Sequence, residues 1–117
     1  MSQPRRSYYI DEAVRLYALK DYFMAHEVLE EHWAEAPTED RDFLQGLIQL
    51  SVGLHHYQRG NLVGTLRQFR KSANRLSGYP DSYQGIYVAS VRVFLDDALR
   101  RLEAGGIGEK LQPPSLA

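Results

Sequence analysis

Four histidines, His26, His32, His55 and His56, and the absence of cysteine bound the chemistry open to this chain. Without thiols there is no disulfide, thiolate zinc site, iron–sulfur cluster or cysteine nucleophile, so any ligation or catalysis falls to His, Asp, Glu, Ser, Thr, Tyr and Lys. These groups are densest in His26-Glu27-Val28-Leu29-Glu30-Glu31-His32-Trp33. On a helix, His26 and Glu30 stand one turn apart on the same face, a spacing that presents two ligands to one ion. With His56 they would form an N/O site for a divalent metal such as zinc, leaving a position open for water. Glu27 is the candidate catalytic base for that water, although helical geometry turns it away from the His26 face. His55 replaces His56 as the inward histidine if the helix is one residue out of phase.

The same residues have a use that needs no ligand. A step of 100° per residue puts Tyr22, Ala25, His26, Leu29 and Trp33 on one face, with Glu30 at its edge. A histidine on an apolar face needs partners for its ring nitrogens. Further along, Gln45, Gln49 and His56 make a narrow polar line on an otherwise apolar helix, and the simplest arrangement brings Gln49 and His56 toward His26 and Glu30. The set His26, Glu30, Gln45, Gln49, His55, His56 and Trp33 then reads either as a metal site or as a hydrogen-bonded lock on helix register. His32 falls at the rim as a solvated histidine, and the tyrosines at 8, 9, 17 and 22 read as core and rim aromatics. Ser51 and Ser72 lack a nucleophile elbow, and no glycine-rich phosphate loop follows a strand.

The elements that must position these groups are helices. Alternating β-branched runs are missing, whereas Leu, Ala, Glu, Arg and Gln abound. Helices are expected over 10–19, 22–36, 39–59, 62–77 and 87–104, with Thr38 and Asn61 as caps, Pro37 as a stop and Gly60 as a left-handed terminator. The third helix, apolar almost all round, belongs at the centre, and Gly46 and Gly53 on one side of it would admit a close neighbour. Asp21-Tyr22-Phe23-Met24-Ala25 followed by Leu29 aligns, forty residues later, with Asn61-Leu62-Val63-Gly64-Thr65 followed by Phe69. In that register His26 falls opposite Leu66, a second reason to turn it inward. The spacing of Tyr22, Ala25, Leu29 and Pro37 also resembles a tetratricopeptide helix. The expected fold is all-α, a compact bundle of about five helices built from such hairpins, with residues 1–104 as a single domain and 105–117 as a flexible tail.

At 117 residues, 44% hydrophobic and 25% charged, the chain has material for one core and no more. Fourteen basic against fifteen acidic residues give a formal charge of −1, and so no global field to gather nucleic acid or an anionic membrane. Arg67, Arg70, Lys71 and Arg75 read as the solvated face of an amphipathic helix. No stretch has the length or hydropathy of a signal peptide or a membrane span, so cytoplasmic residence is the expectation. An unidentified protein partner or small-molecule ligand is expected rather than nucleic acid or membrane, with a homodimer left open.

The histidine-glutamate segment, followed by Phe43-Leu44-Gln45-Gly46-Leu47-Ile48-Gln49-Leu50, then Leu54-His55-His56 and Gly60-Asn61, resembles the bacterial and archaeal family called domain of unknown function 309. The match runs over residues 16–87. The resemblance implies a small all-helical bundle, and members are often labelled predicted metal-dependent hydrolases. The family's characteristic polar positions carry over to His26, Glu27, Glu30, Gln45, Gln49 and His56. After Gly85-Ile86, where relatives often carry an acidic residue, this chain has Tyr87, which would reduce any site that used the acid. Two functions follow: a structural or interaction module in which the cluster locks the core, or a metal-dependent hydrolase holding its metal with His26, Glu30 and His56.

Overall fold

A serine begins the first element. In the computed structural model, which describes residues 7–105 and 110–117, the Ser7 hydroxyl accepts the Ile10 N–H at 3.1 Å and starts α1 (Tyr8–Ala18). Ile10, Ala13 and Tyr17 give this helix its buried stripe. It ends on Lys20, whose φ of 63° is left-handed. The Lys20 N–H bonds the Tyr17 carbonyl and the Asp21 N–H the Leu16 carbonyl, both at 2.9 Å, the paired bonds that close a helix through a left-handed residue. The Asp21 carboxylate then accepts from Met24 N–H and opens α2 (Tyr22–Glu35).

Forty residues on, the same turn is built again. Gly60 has φ 77°, its N–H bonds the Tyr57 carbonyl at 3.0 Å, and the Asn61 N–H bonds the His56 carbonyl at 2.9 Å. Asn61 Oδ1 accepts from Gly64 N–H at 2.9 Å. The internal repeat is therefore structural: α1–α2 and α3 (Thr38–Gln58) with α4 (Leu62–Leu76) are two hairpins sharing one turn design. Gln58 Nε2 donates to the Lys20 carbonyl at 3.0 Å and ties the two turns together. A fifth helix, α5 (Val88–Glu103), packs on α4, and each helix lies against the next in sequence.

α3 is the central element, with Phe43, Leu44, Leu47, Ile48, Leu50 and Leu54 all buried. Pro37 occupies its cap position and Thr38 is its first helical residue, so the expected Thr38 cap is not formed. Proline at the boundary costs little, because the first N–H groups of a helix have no intrahelical partner. The closest packing is with α4. A Cβ at Gly46 would lie 2.6 Å from Leu76 Cγ, and one at Gly53 would lie 2.6 Å from the Phe69 ring. In the same seam the buried Ser72 hydroxyl donates to the Gly46 carbonyl at 2.7 Å.

This seam decides which face of α4 is buried. Its buried residues are Thr65, Phe69, Ser72 and Leu76, whereas Leu62 is exposed and Leu66 half-buried. Small hydroxyl residues can line a close helix contact when their oxygens are satisfied, and Thr65 Oγ1 donates to the Asn61 carbonyl at 2.8 Å. Between α4 and α5, Tyr79 donates to the Glu39 carbonyl at 2.7 Å and Tyr83 to Asp40 Oδ1 at 2.5 Å, pinning the loop to the start of α3.

The all-α bundle is as expected, with a radius of gyration of 13.7 Å, close to the ~13 Å of a compact chain this long. Within the tail expected to be flexible over 105–117, the described residues 110–117 lie against the bundle. Leu111 and Leu116 are buried in the core cluster. Leu111 N–H donates to the Tyr57 hydroxyl at 3.0 Å, and Tyr87 N–H donates to the Leu116 carbonyl at 2.8 Å. Pro113-Pro114, a pair that suggests looseness, instead separates two apolar anchors. Residues 1–6 of the expected domain and 106–109 of the expected tail lie outside the described residues. Among the described residues no helix is long and apolar enough to cross a membrane.

Candidate functional site

His26 sits on the first turns of α2 with 14% of its side chain exposed, at the edge of the buried face. Its repeat counterpart Leu66 is half-buried too, so the alignment places both correctly relative to each other and one step too deep. His26 Nδ1 donates to the Phe23 carbonyl at 2.5 Å, and its ring meets Phe23 edge-on at 4.9 Å. With Nδ1 protonated, Nε2 of the neutral ring is a lone-pair nitrogen. It points toward Glu30 Oε1 at 3.7 Å, beyond hydrogen-bond range, and that carboxylate is 55% exposed. The pair becomes an ion pair only when His26 is protonated.

His56 is used elsewhere. Its Nδ1 lies 3.3 Å from Asn61 Nδ2. Asn61 spends its oxygen on the α4 cap, so its amide nitrogen faces the ring and His56 Nδ1 accepts. The imidazole lies over the start of α4, where a Cβ at Gly64 would come within 2.9 Å of its carbons. His55, not His56, turns toward α2, with its ring 5.4 Å from Phe23. Burial pushes its pKa down, and the positive charges of Arg59, His56 and His26 add to the effect against a smaller opposing pull from Asp21.

The remaining members of the set are dispersed. Gln49 is buried, and its Oε1 has no hydrogen-bond partner, so it bridges neither His26 nor Glu30 through that oxygen. Gln45 is half-buried on α3, and Glu27 is exposed, as the helical geometry requires. Trp33 carries the Arg41 guanidinium 3.8 Å above its ring and so joins the end of α2 to α3. His32, expected to be a solvated bystander, instead stacks on Tyr9 at 5.2 Å, with Nε2 3.4 Å from the Ser7 hydroxyl. It holds the start of α1 against α2.

A divalent ion does not fit this set. Among the described residues no three His, Asp or Glu side chains are grouped to hold one. His56 offers its lone pair to Asn61, and Glu30 and His26 are two ligands without a third. The row of cations on α4 is partly paired across helices, Arg70 with Glu103 at 3.4 Å and Arg75 with Asp42 at 2.5 Å. Such exposed pairs contribute about 0–1 kcal/mol each.

Space for a ligand lies away from the histidines. One cleft of about 530 Å³ is bounded by Tyr22, Leu54, Tyr57, Gln58 and Leu62. A second of about 340 Å³ is bounded by Val14, Tyr17 and Tyr22, and residues of the segment 110–117 wall both. Tyr57 accepts from that segment, whereas the Tyr17 hydroxyl is buried without a partner and burial raises its pKa. Tyr17 and Tyr57 are forty apart, the same position of the two hairpins. As core and rim aromatics, Tyr17 and Tyr22 give no hint of a groove. The signal that could have found it is the repeat register, which sets two tyrosines just ahead of two left-handed turns.

Comparison with known proteins agrees on the family. The chain is 45% identical over 65 residues to the Uncharacterized protein YpuF of Bacillus subtilis (strain 168), a match covering 55% of this chain and 37% of that protein. It is 27% identical over 113 residues to an Uncharacterized protein of Aquifex aeolicus (strain VF5), covering 96% of this chain and 32% of that one. The chain thus spans about a third of the length of the curated relatives it matches. Among solved structures, a conserved hypothetical protein from Thermus thermophilus superposes with a TM-score of 0.64 at 38% identity, over 80% of this chain and 94% of that one. A family model, Domain of unknown function (DUF309), matches residues 10–68, half of the sequence, and the chain belongs to that family.

Proposed function

We propose that this chain is a non-catalytic interaction module, whose hairpins present an aromatic groove to another chain and whose histidines hold the hairpin turns. One observation carries the reading. The clefts of about 530 and 340 Å³ are lined by Tyr17, Tyr22 and Tyr57, whereas His26 and His56 direct their Nδ1 atoms at the Phe23 carbonyl and the Asn61 cap. A hydrolytic centre needs converging ligands and an open position beside them. A binding surface needs concave apolar space with a few placed polar groups, and the groove has that composition.

Thermal unfolding of the full chain with excess zinc or manganese, and with a chelator, tests this. A bound ion stabilises by an amount that grows with its concentration over its dissociation constant, which reaches about 2.7 kcal/mol at a hundredfold excess. The expected midpoint is the same in all three conditions. A rise of several degrees with metal that disappears in His26→Ala and Glu30→Gln would establish the metal centre and overturn the reading.

A further inference from the structure

The segment 110–117 makes the contacts of a bound peptide. It runs without regular structure beside the last turns of α1 and α3 to the start of α5, the first helices of the two hairpins and the helix that follows them. Its hold on the bundle alternates main chain and side chain. Leu111 gives its N–H to the Tyr57 hydroxyl and buries its side chain; five positions later Leu116 gives its carbonyl to the Tyr87 N–H and buries its own. Pro113 and Pro114 between them favour the extended left-handed conformation, whose rise of about 3.1 Å per residue carries the chain ~16 Å from one anchor to the other. The fit is incomplete. Tyr17 keeps a buried hydroxyl without a partner, and a cleft of about 530 Å³ remains open beside Leu111 and Pro113.

From this we infer that the groove lined by Tyr17, Tyr22 and Tyr57, and closed at its far end by the Tyr87 N–H, binds an extended, proline-containing segment of a partner chain with apolar side chains five residues apart, and that residues 110–117 occupy it as an internal competitor. The inference rests on the interaction-module reading and deepens it by naming the partner's chemistry. Recognition of such segments by aromatic grooves exploits their low conformational entropy, with main-chain bonds for affinity and pockets for specificity. A partner carrying one more acceptor near Tyr17 would use a hydroxyl that the internal segment leaves unpaired, and so would displace it at a gain. Tyr87 serves here through its backbone N–H, which receives the Leu116 carbonyl.

The test uses the full chain carrying Leu111→Asp and Leu116→Asp, which releases the segment, and a fluorescent peptide of residues 110–117 added in trans. A tethered competitor acts at an effective concentration of about a millimolar. The released chain should therefore bind the peptide at least tenfold more tightly than the unaltered chain, and adding Tyr57→Phe should weaken that binding severalfold. A released chain that is folded by circular dichroism and binds no peptide overturns the proposal. Should the double variant fail to fold, hydrogen exchange on the unaltered chain decides. The Leu111 and Tyr87 amides should exchange at least a hundredfold faster than those of Leu47 and Leu50, and exchange at the core rate would show that the segment never leaves. A concentration-dependent dimer of the unaltered chain that Leu116→Asp abolishes would mean that a second copy fills the groove, and would also overturn the proposal. Failure of peptide binding with no metal response leaves the interaction-module reading standing, whereas a metal response lost in His26→Ala removes that reading itself.

Discussion

At His26 the same helical spacing that suggests a metal pair produces a local lock. The ring nitrogen nearest the backbone donates to Phe23, and Glu30 stays in solvent. Periodicity tells correctly that the side chain turns from water, but it cannot tell that His56 is drawn away, because that depends on Asn61 capping α4 and on Gly64 leaving room for the ring. His55 is the histidine whose charge the fold disfavours, since burial first and then the Arg59 guanidinium hold its pKa below the usual 6.5. The unfolded chain then binds more protons than the folded one as pH falls past that value, so stability present near pH 7.5 is lost toward pH 5. In His55→Gln the fall in unfolding midpoint between those two pH values should be smaller than in the unaltered chain, and an equal fall would assign the pH dependence to other groups. Lys20 offers a second residue-level test. It holds a left-handed φ of 63° where the second hairpin has glycine. Lys20→Gly should stabilise by about 0.5–1 kcal/mol in chemical denaturation, because a side chain is strained there and glycine is not.

Among the elements, the seam between α3 and α4 sets the architecture. Gly46 and Gly53 bring Leu76 and Phe69 onto the backbone of α3. Gly53→Ala places a methyl 2.6 Å from a buried ring, and the strain should cost about 1–3 kcal/mol or more in urea unfolding. Gly78→Ala, which meets nothing within 4 Å, should leave stability nearly unchanged. Equal effects at the two positions would speak against the close seam. Much of this layer is legible in the sequence. Asp21 and Asn61 cap as their types require, Gly60 terminates, and α3 is central because its apolar residues surround it. The face of α4 is not. Hydrophobic spacing favours Leu62 and Leu66, but the glycines of α3 select Thr65 and Ser72, whose hydroxyls are satisfied inside the seam. Hydropathy alone does not register that compensation.

Across the whole molecule, the segment 110–117 joins parts that local pattern cannot connect. Glycine and proline content makes 105–117 read as loose, whereas two leucines and two main-chain bonds seat its described end against α1, α3 and α5. The tertiary contact that decides this involves Tyr57, fifty-four residues away from Leu111. On the function proposed above, this groove, rather than the histidine cluster, is where the protein meets another chain. Amide chemical shifts of the full chain, followed while a peptide of residues 110–117 is added to several millimolar, separate the two surfaces. The expected result is a set of shifts confined to Tyr17, Tyr22, Leu54, Tyr57, Tyr87 and the segment itself, with His26 and Glu30 unmoved. Shifts centred on His26 and His55, or none along the groove at any peptide concentration, would refute the groove as the meeting surface.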